Sequence, residues 1–320
     1  MSSRSYRGVL VATGTLIASL LLLHARPAAI LGYLKATETS ALLVAFGLHG
    51  ALLTCRSWRL RLLSRGELPL LPSLLLFSTV QAASALLPWR LGELLLPPLA
   101  KAARNSRLAK GAFWWLGGRF FDLWSLAALA ALAAALQLLP AVVLAPAFLL
   151  LTLLTLLWCT APSRLPWRWL SCLAPSRRWV RGLWRFRYAL TSFQKEKGLQ
   201  QISFALSLGG WLLVAAYTGV LASGMGTELS PRQVLLAVVG AALGAAIPLA
   251  GVGNLGPLEA GFASALSLRG IPMQEALALG FALHFWTLFF QLLLGAAAIF
   301  ALFRLSPPPQ GQPSSSFRQK

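Results

Sequence analysis

Glu93, Arg119, Asp122, Glu259 and His284 lie inside long apolar stretches, and Arg90 lies at the edge of one. A charge at the centre of a bilayer costs roughly 2.5 to 3.5 kcal/mol even on a lenient insertion scale, so such groups turn toward a cavity or a partner. Arginines in a cavity suit an anionic head group, and carboxylates suit a cation or a proton. Blander readings stand beside these. Arg119 and Asp122 could neutralise each other three residues apart on one helix. Glu93 and Glu259 could accept backbone N–H groups freed by a helix break. His284 could be a packed bundle histidine rather than a proton relay, and His24 and His49 read as interfacial or packing residues.

Both glutamates sit in stretches of membrane-depth length that Pro and Gly interrupt. The first is Pro88-Trp89-Arg90-Leu91-Gly92-Glu93 with Pro97-Pro98 following; the second runs over 248–259 and includes Gly251, Gly253, Asn254, Gly256 and Pro257. Irregular backbone at membrane depth survives only where protein or a watery cavity satisfies it. The glycine run matches neither GxxxxGK[ST] nor a strand-turn-helix GxGxxG. Its use is physical: Gly permits an unwound turn, and a half-helix starting near Pro257 would aim N–H groups at an anion. Glu259 in the first turn competes for those groups. About 26 residues after Glu93 comes Arg119, and 25 after Glu259 comes His284, so each half offers an interrupted stretch with a Glu followed by a long helix with a basic group.

The elements that must hold these residues follow from composition. Of 320 residues, 57% are hydrophobic and 11% charged, with 28 Lys plus Arg against 8 Asp plus Glu for a net charge of +20. Ordinary soluble domains carry about a quarter charged residues, so a soluble fold is excluded. The basic residues lie between apolar runs rather than on a soluble surface, which argues against nucleic acid as a partner. A crossing needs about 20 apolar residues. Apolar segments fall at about 8–23, 41–55, 68–87, 111–139, 141–158, 199–222, 233–250 and 273–305. The fold class is therefore all-α, polytopic and integral to the membrane, with about eight full transmembrane helices plus two broken or re-entrant segments in an inverted repeat. Residues 1–305 form one transmembrane domain: a first half to about 160, a basic cytoplasmic loop over 163–198, a second half over 199–305, then a disordered cytoplasmic tail over 306–320. If both interrupted stretches cross, the basic clusters at 56–65, 101–110 and 164–197 all fall on the cytoplasmic side with both termini, as the positive-inside rule requires. If only the first stretch turned back, Lys101, Arg104, Arg107 and Lys110 would fall outside; ten passes are the better count.

The 163–198 loop interleaves aromatic residues with its basic ones. On a helix, Arg177, Arg181 and Arg185 share one face and Val180, Leu183 and Trp184 another, the pattern of an amphipathic helix lying against anionic lipid. A plain orientation signal is the alternative. Cys55, Cys159 and Cys172 have neither a disulfide framework nor a metal-site spacing, so no metal or cofactor is expected.

Pro88 to Glu93, Arg119-Phe120-Phe121-Asp122, the 248–259 run, Gly270-Ile271-Pro272 and Glu275-Ala276 together resemble the lysylphosphatidylglycerol synthetase transmembrane-region family, flippase-like polytopic proteins of bacteria and archaea. The resemblance implies lipid movement, and its polar positions fall on Arg90, Glu93, Arg119, Asp122 and Glu259. This sequence departs from the family in having Gly118 where Glu is frequent and His284 where Arg is frequent.

The expected function is a lipid transporter, flippase or scramblase-like, in the bacterial plasma (inner) membrane. It would move an anionic phospholipid or polyprenyl-phosphate-linked lipid without hydrolysing ATP. Arg90, Glu93, Arg119, Asp122, Asn254, Glu259 and His284 line the path, and no residue is catalytic. Alternatives are a membrane lipid-modifying enzyme, or a non-transporting accessory of a cell-envelope synthase. The partners expected are anionic head groups, with such a synthase or a second copy of the chain as candidate protein partners.

Overall fold

The long apolar runs form helices, because backbone N–H and C=O groups in hydrocarbon must find partners within their own segment. A computed structural model describes residues 15–16, 18–104, 108–135, 149–156, 171–172, 176–246 and 252–305, which are helical with no strand among them. Most of the 141–158 segment and the 306–320 tail lie outside the described residues. After a helical stretch at 18–24 come α1 (Pro27–Ala36), α2 (Thr39–Leu63) and α3 (Leu70–Leu86). A 3₁₀ turn (Pro88–Leu95) then leads into α4 (Leu96–Arg104) and α5 (Leu108–Ala135). The second half holds α6 (Arg177–Gln194), α7 (Lys197–Gly224), α8 (Pro231–Ala245), a short turn (Val252–Asn254), α9 (Pro257–Ser267) and α10 (Met273–Leu305).

Among the described residues, Thr39–Leu63, Lys197–Gly224 and Met273–Arg304 are each long and apolar enough to cross a membrane. Leu43, Leu212, Phe300 and Phe303 are exposed, whereas Arg59, Glu93, Asp122, Glu259 and His284 are buried. This is the reverse of a water-soluble protein and suits a hydrocarbon surround.

α2 and α7 form the central pair. Glu38 N–H donates to Gly224 O at 2.9 Å, Gly210 faces Leu52, and Arg65 pairs with Glu196, so the two helices run antiparallel from end to end. The expected segment stopped at Cys55; the helix continues through Arg56 and Arg59 to Leu63. Arg59 can be kept there, 3% exposed, because an acid on another helix meets it.

Each interrupted stretch doubles back on the helix before it. Gly92 lies against the end of α3 so closely that a Cβ would sit 2.1 Å from Ser84 N. α8 and α9 are likewise antiparallel: Gly240 faces Gly261 and Ala265, while Gly244 faces Pro257 and Gly261, so partner numbers fall as its own rise. A Cβ on Gly244 would meet Pro257 O at 2.0 Å, an approach only Gly allows. α8 has 15 residues and α9 has 11, spanning roughly 22 and 17 Å, and neither reaches across about 30 Å of hydrocarbon. Each interrupted stretch thus forms a helical hairpin with the helix before it, within the broken or re-entrant forms that the sequence allowed. Leu70–Leu86 and Pro231–Ala245, within the segments read from sequence as spans at 68–87 and 233–250, are the first arms of these hairpins.

The hairpins open toward opposite ends of the bundle. Glu67, just before α3, pairs with Lys110 in the first turn of α5, near the α2 end that carries Arg65. Tyr33 of α1 bonds Thr227, and a groove of about 470 Å³ there is bounded by α1, Met225, Pro272 and Glu275, near the opposite end of α2. The turns touch each other between the two ends, and α10 leans on α3 through Gly295 and Ala82.

α6 packs through Leu183, Phe186, Leu190 and Phe193. Ring centroids of Phe113 and Phe193 are 5.8 Å apart, and those of Phe121 and Phe193 are 6.1 Å apart. Arg177, Arg181 and Arg185 are exposed as expected. Trp184, on the face expected to meet lipid, is exposed as well, and Arg187 lies over its ring at 5.1 Å. The cluster around Phe113 and Phe121 turns the helix so that Phe186 and Phe193, rather than Trp184, point inward.

Candidate functional site

A cavity of about 180 Å³ lies where the hairpin turns meet. His49 and Arg56 reach it from α2, Gln81 and Glu93 from the first hairpin, Arg119 from α5, Asn254 from the second turn, and His284 and Gln291 from α10. Leu52, Val238, Phe262, Leu283 and Leu288 form apolar wall. Of the residues singled out from sequence, Glu93, Arg119, Asn254 and His284 therefore share one space. Asp122 lies on a small adjoining cavity with Arg56, Arg59 and Glu93. Glu259 stands behind His284 and is fully buried. The side chain of Arg90 lies outside the described set, and Arg177, Arg181 and Arg185 are on α6, away from the cavity.

The structure pairs each glutamate with the basic group of the long helix that follows it. Arg119 meets Glu93 in an ion pair, and Trp115, one turn earlier on α5, donates its Nε1–H to the other Glu93 oxygen at 3.3 Å. His284 Nδ1 meets Glu259 Oε1. Glu259 Oε2 also accepts from Gly256 N–H at 2.7 Å, capping α9 where the chain leaves its turn at Asn254 (φ 59°) and Gly256 (φ 112°). For Glu259 the helix-capping reading holds alongside the histidine contact; Glu93 is held by side chains.

Arg119 and Asp122 are only loosely associated, at 3.8 Å. Asp122 instead takes both arms of Arg59, with Nη2 donating to Oδ2 at 3.0 Å, and Arg59 also donates to Ser207 of α7. Trp211 Nε1–H donates to the Asp122 carbonyl at 2.9 Å. This network ties α2, α5 and α7 together. Gly118 lies against it, and a Cβ there would be in ordinary contact with Arg59 Nη2 at 3.4 Å.

Sequence reasoning missed Arg56, Arg59 and His49. Trp58, Leu60, Leu62 and Leu63 after the first arginines could have shown that the apolar helix continued. His49, Leu52 and Arg56 recur at i, i+3 and i+7, one helix face.

The cavity is lined by basic groups, the Glu93 carboxylate and apolar side chains, so it can hold a group with both an anionic and an apolar part. Two of its hydroxyls turn back on their own helices: Ser84 donates to Val80 O at 2.8 Å and Thr287 to Leu283 O at 2.9 Å. No group of three or more His, Cys, Asp or Glu side chains among the described residues could hold a metal ion.

No curated protein and no solved structure matches the chain. The model of the family described as Lysylphosphatidylglycerol synthase TM region matches residues 8–295, nearly its whole length. With its apolar outer faces and buried charges, the chain is a membrane-embedded, multi-pass protein that belongs to that family.

Proposed function

We propose that the protein is a lipid transporter that carries an anionic phospholipid or a polyprenyl-phosphate-linked lipid between leaflets of the plasma (inner) membrane. The observation that carries this reading is the cavity where the two hairpin turns meet, lined by both basic and apolar side chains. A phosphate crossing bare hydrocarbon meets the full cost of burying a charge, whereas here fixed guanidinium groups replace its water. Paired interrupted segments near mid-depth are the mark of transporter folds built from inverted repeats.

In this reading α3 to α5 and α8 to α10 are the two repeats, inserted from opposite faces. Among the described residues, α2, α5, α7 and α10 cross fully. Each hairpin stands in for two crossings, so the sides assigned to the basic clusters are the same as for ten passes. The termini and the 163–198 loop are cytoplasmic, and Arg177, Arg181 and Arg185 face anionic lipid at that surface. Ser84 and Thr287 spend their hydroxyl protons on their own helices, which supports transport rather than lipid-modifying chemistry at those two groups.

The test is reconstitution into liposomes with fluorescent phosphatidylglycerol or phosphatidylcholine, reading how fast inner-leaflet label becomes accessible to an external quencher. Faster exchange of the anionic lipid than in protein-free vesicles is expected. Folded protein that moves neither phosphatidylglycerol nor a polyprenyl phosphate would sink the reading.

A further inference from the structure

Three of the basic groups around the cavity already have an acid: Arg119 has Glu93, His284 has Glu259, and Arg59 has Asp122. The pair on α2 differs. Arg56 makes no ion pair within 4 Å among the described residues, and its charged neighbours are Asp122, already taken by Arg59, and the two like-charged groups Arg59 and Arg119. His49 is 1% exposed, and neither ring nitrogen has a hydrogen-bond partner among the described residues, although it lines the cavity. A buried imidazole normally has partners for its nitrogens, and one without them beside a cavity points to something the cavity receives.

Geometry brings the two together. Seven residues of helix place them on one face about 10 Å apart along the axis. Side chains on a helix lean toward its N-terminus, so the long Arg56 side chain reaches back toward His49. The imidazole plane is held edge-on to Tyr217, with centroids 5.7 Å apart, and tilted against Phe290 at 5.9 Å. An imidazole has at least one N–H to donate in either protonation state, and a guanidinium presents a fork of donors.

We propose that His49 and Arg56 form a phosphodiester subsite, in which both donate to the non-bridging oxygens of the bound lipid's phosphate. Charge selects the diester. With the Arg119–Glu93 and Arg59–Asp122 pairs each neutral, and Glu259 balanced when His284 is protonated, Arg56 leaves one positive charge unmatched, which suits a singly charged phosphodiester rather than a doubly charged phosphomonoester. The apolar wall at Phe262 and Leu288 then receives the glycerol end of the ligand. This deepens the transport reading and rests on its cavity being the lipid path.

The test is binding to purified protein in detergent, followed by tryptophan fluorescence because Trp211 lines the cavity. The probes are dihexanoyl phosphatidylglycerol, dihexanoyl phosphatidic acid as the monoester, and glycerophosphoglycerol as the soluble diester. Arg56→Gln should weaken phosphatidylglycerol binding about 10-fold or more, and His49→Phe, which keeps the ring contacts, about 3- to 10-fold. Arg56→Lys, which keeps charge but loses the fork, should fall between wild type and Arg56→Gln; it serves if Arg56→Gln is not monodisperse. Wild-type binding in both Arg56→Gln and His49→Phe overturns the subsite, as does tighter binding of phosphatidic acid than of phosphatidylglycerol. Equal binding of glycerophosphoglycerol and the lipid keeps the subsite but removes the lipid path. Weakened binding in both variants without any transport in liposomes likewise leaves the subsite and ends the transport reading. Transport and binding both unchanged in the variants do the reverse.

Discussion

The α3–α5 and α8–α10 units share one plan, a hairpin with a Glu near its turn and a long helix with a basic residue facing that Glu. They hold the carboxylate differently. Glu93 is fixed by a permanent cation, Arg119, whose side chain is 36% exposed, and by an indole N–H. Glu259 and His284 are 0% and 6% exposed, and Glu259 divides its oxygens between an imidazole and the first free N–H of α9. Three residues after Arg119 comes Asp122, clasped by Arg59 of α2; three after His284 comes Thr287, whose hydroxyl bonds its own helix. One unit is tied electrostatically to the central helix pair. In the other, the acid both shapes the turn and meets His284 of α10. A common architecture can therefore hold its carboxylate by side chains alone or share it with the backbone.

The tie should be the most costly feature to break. Asp122→Ala leaves Arg59 buried at 3% exposure without its acid, and a loss of about 3 to 5 kcal/mol is expected in an SDS unfolding titration of the purified protein. Replacing both partners, Arg59→Met with Asp122→Leu, should recover most of that loss. A double variant as unstable as the single one would show that the network matters for something other than charge pairing.

Next comes the glutamate comparison itself. Glu259→Ala removes a helix cap and leaves a buried imidazole and a buried N–H without partners, for an expected loss of about 2 to 4 kcal/mol. Glu93→Ala frees an arginine that is over a third exposed and still has Asp122 nearby, so about 1 kcal/mol is expected. Equal losses by the same titration would remove the distinction between the units.

Much of this was legible in sequence where periodicity or spacing carried it. The 273–305 and 199–222 segments appear as Met273–Leu305 and Lys197–Gly224. The separations from Glu93 to Arg119 and from Glu259 to His284 correspond to real contacts. What escaped depends on partners distant in sequence. A hydropathy reading ends a span at Arg56 and Arg59 because it cannot know that Asp122, 63 residues on, receives one of them. The doubling back of α8 on α9 rests on the register of Gly240, Gly244 and Gly261, which a linear reading sees only as small residues. α1 has ten residues, too few to register as a span. Trp184 fits the apolar side of a helical wheel, but the phenylalanine cluster under α6 decides which side is inward.

The conservative replacement of each glutamate should produce the smallest effects and reverse their order. In Glu259→Gln the side-chain oxygen can still accept from Gly256 N–H, and the amide can donate to His284 Nδ1 when the imidazole carries its proton on Nε2. Every buried group keeps a partner, and a charge is removed from a fully buried position, so a loss of under about 0.5 kcal/mol is expected. In Glu93→Gln, Trp115 keeps its acceptor but Arg119 loses its counter-charge, for about 0.5 to 1 kcal/mol. Alanine thus hurts more at 259 and glutamine more at 93, and the crossing of the two series separates a carboxylate used as a hydrogen-bond acceptor from one used as a charge. Should Glu259→Gln prove as damaging as Glu259→Ala, the negative charge itself is what His284 requires, and the two units hold their glutamates by the same means.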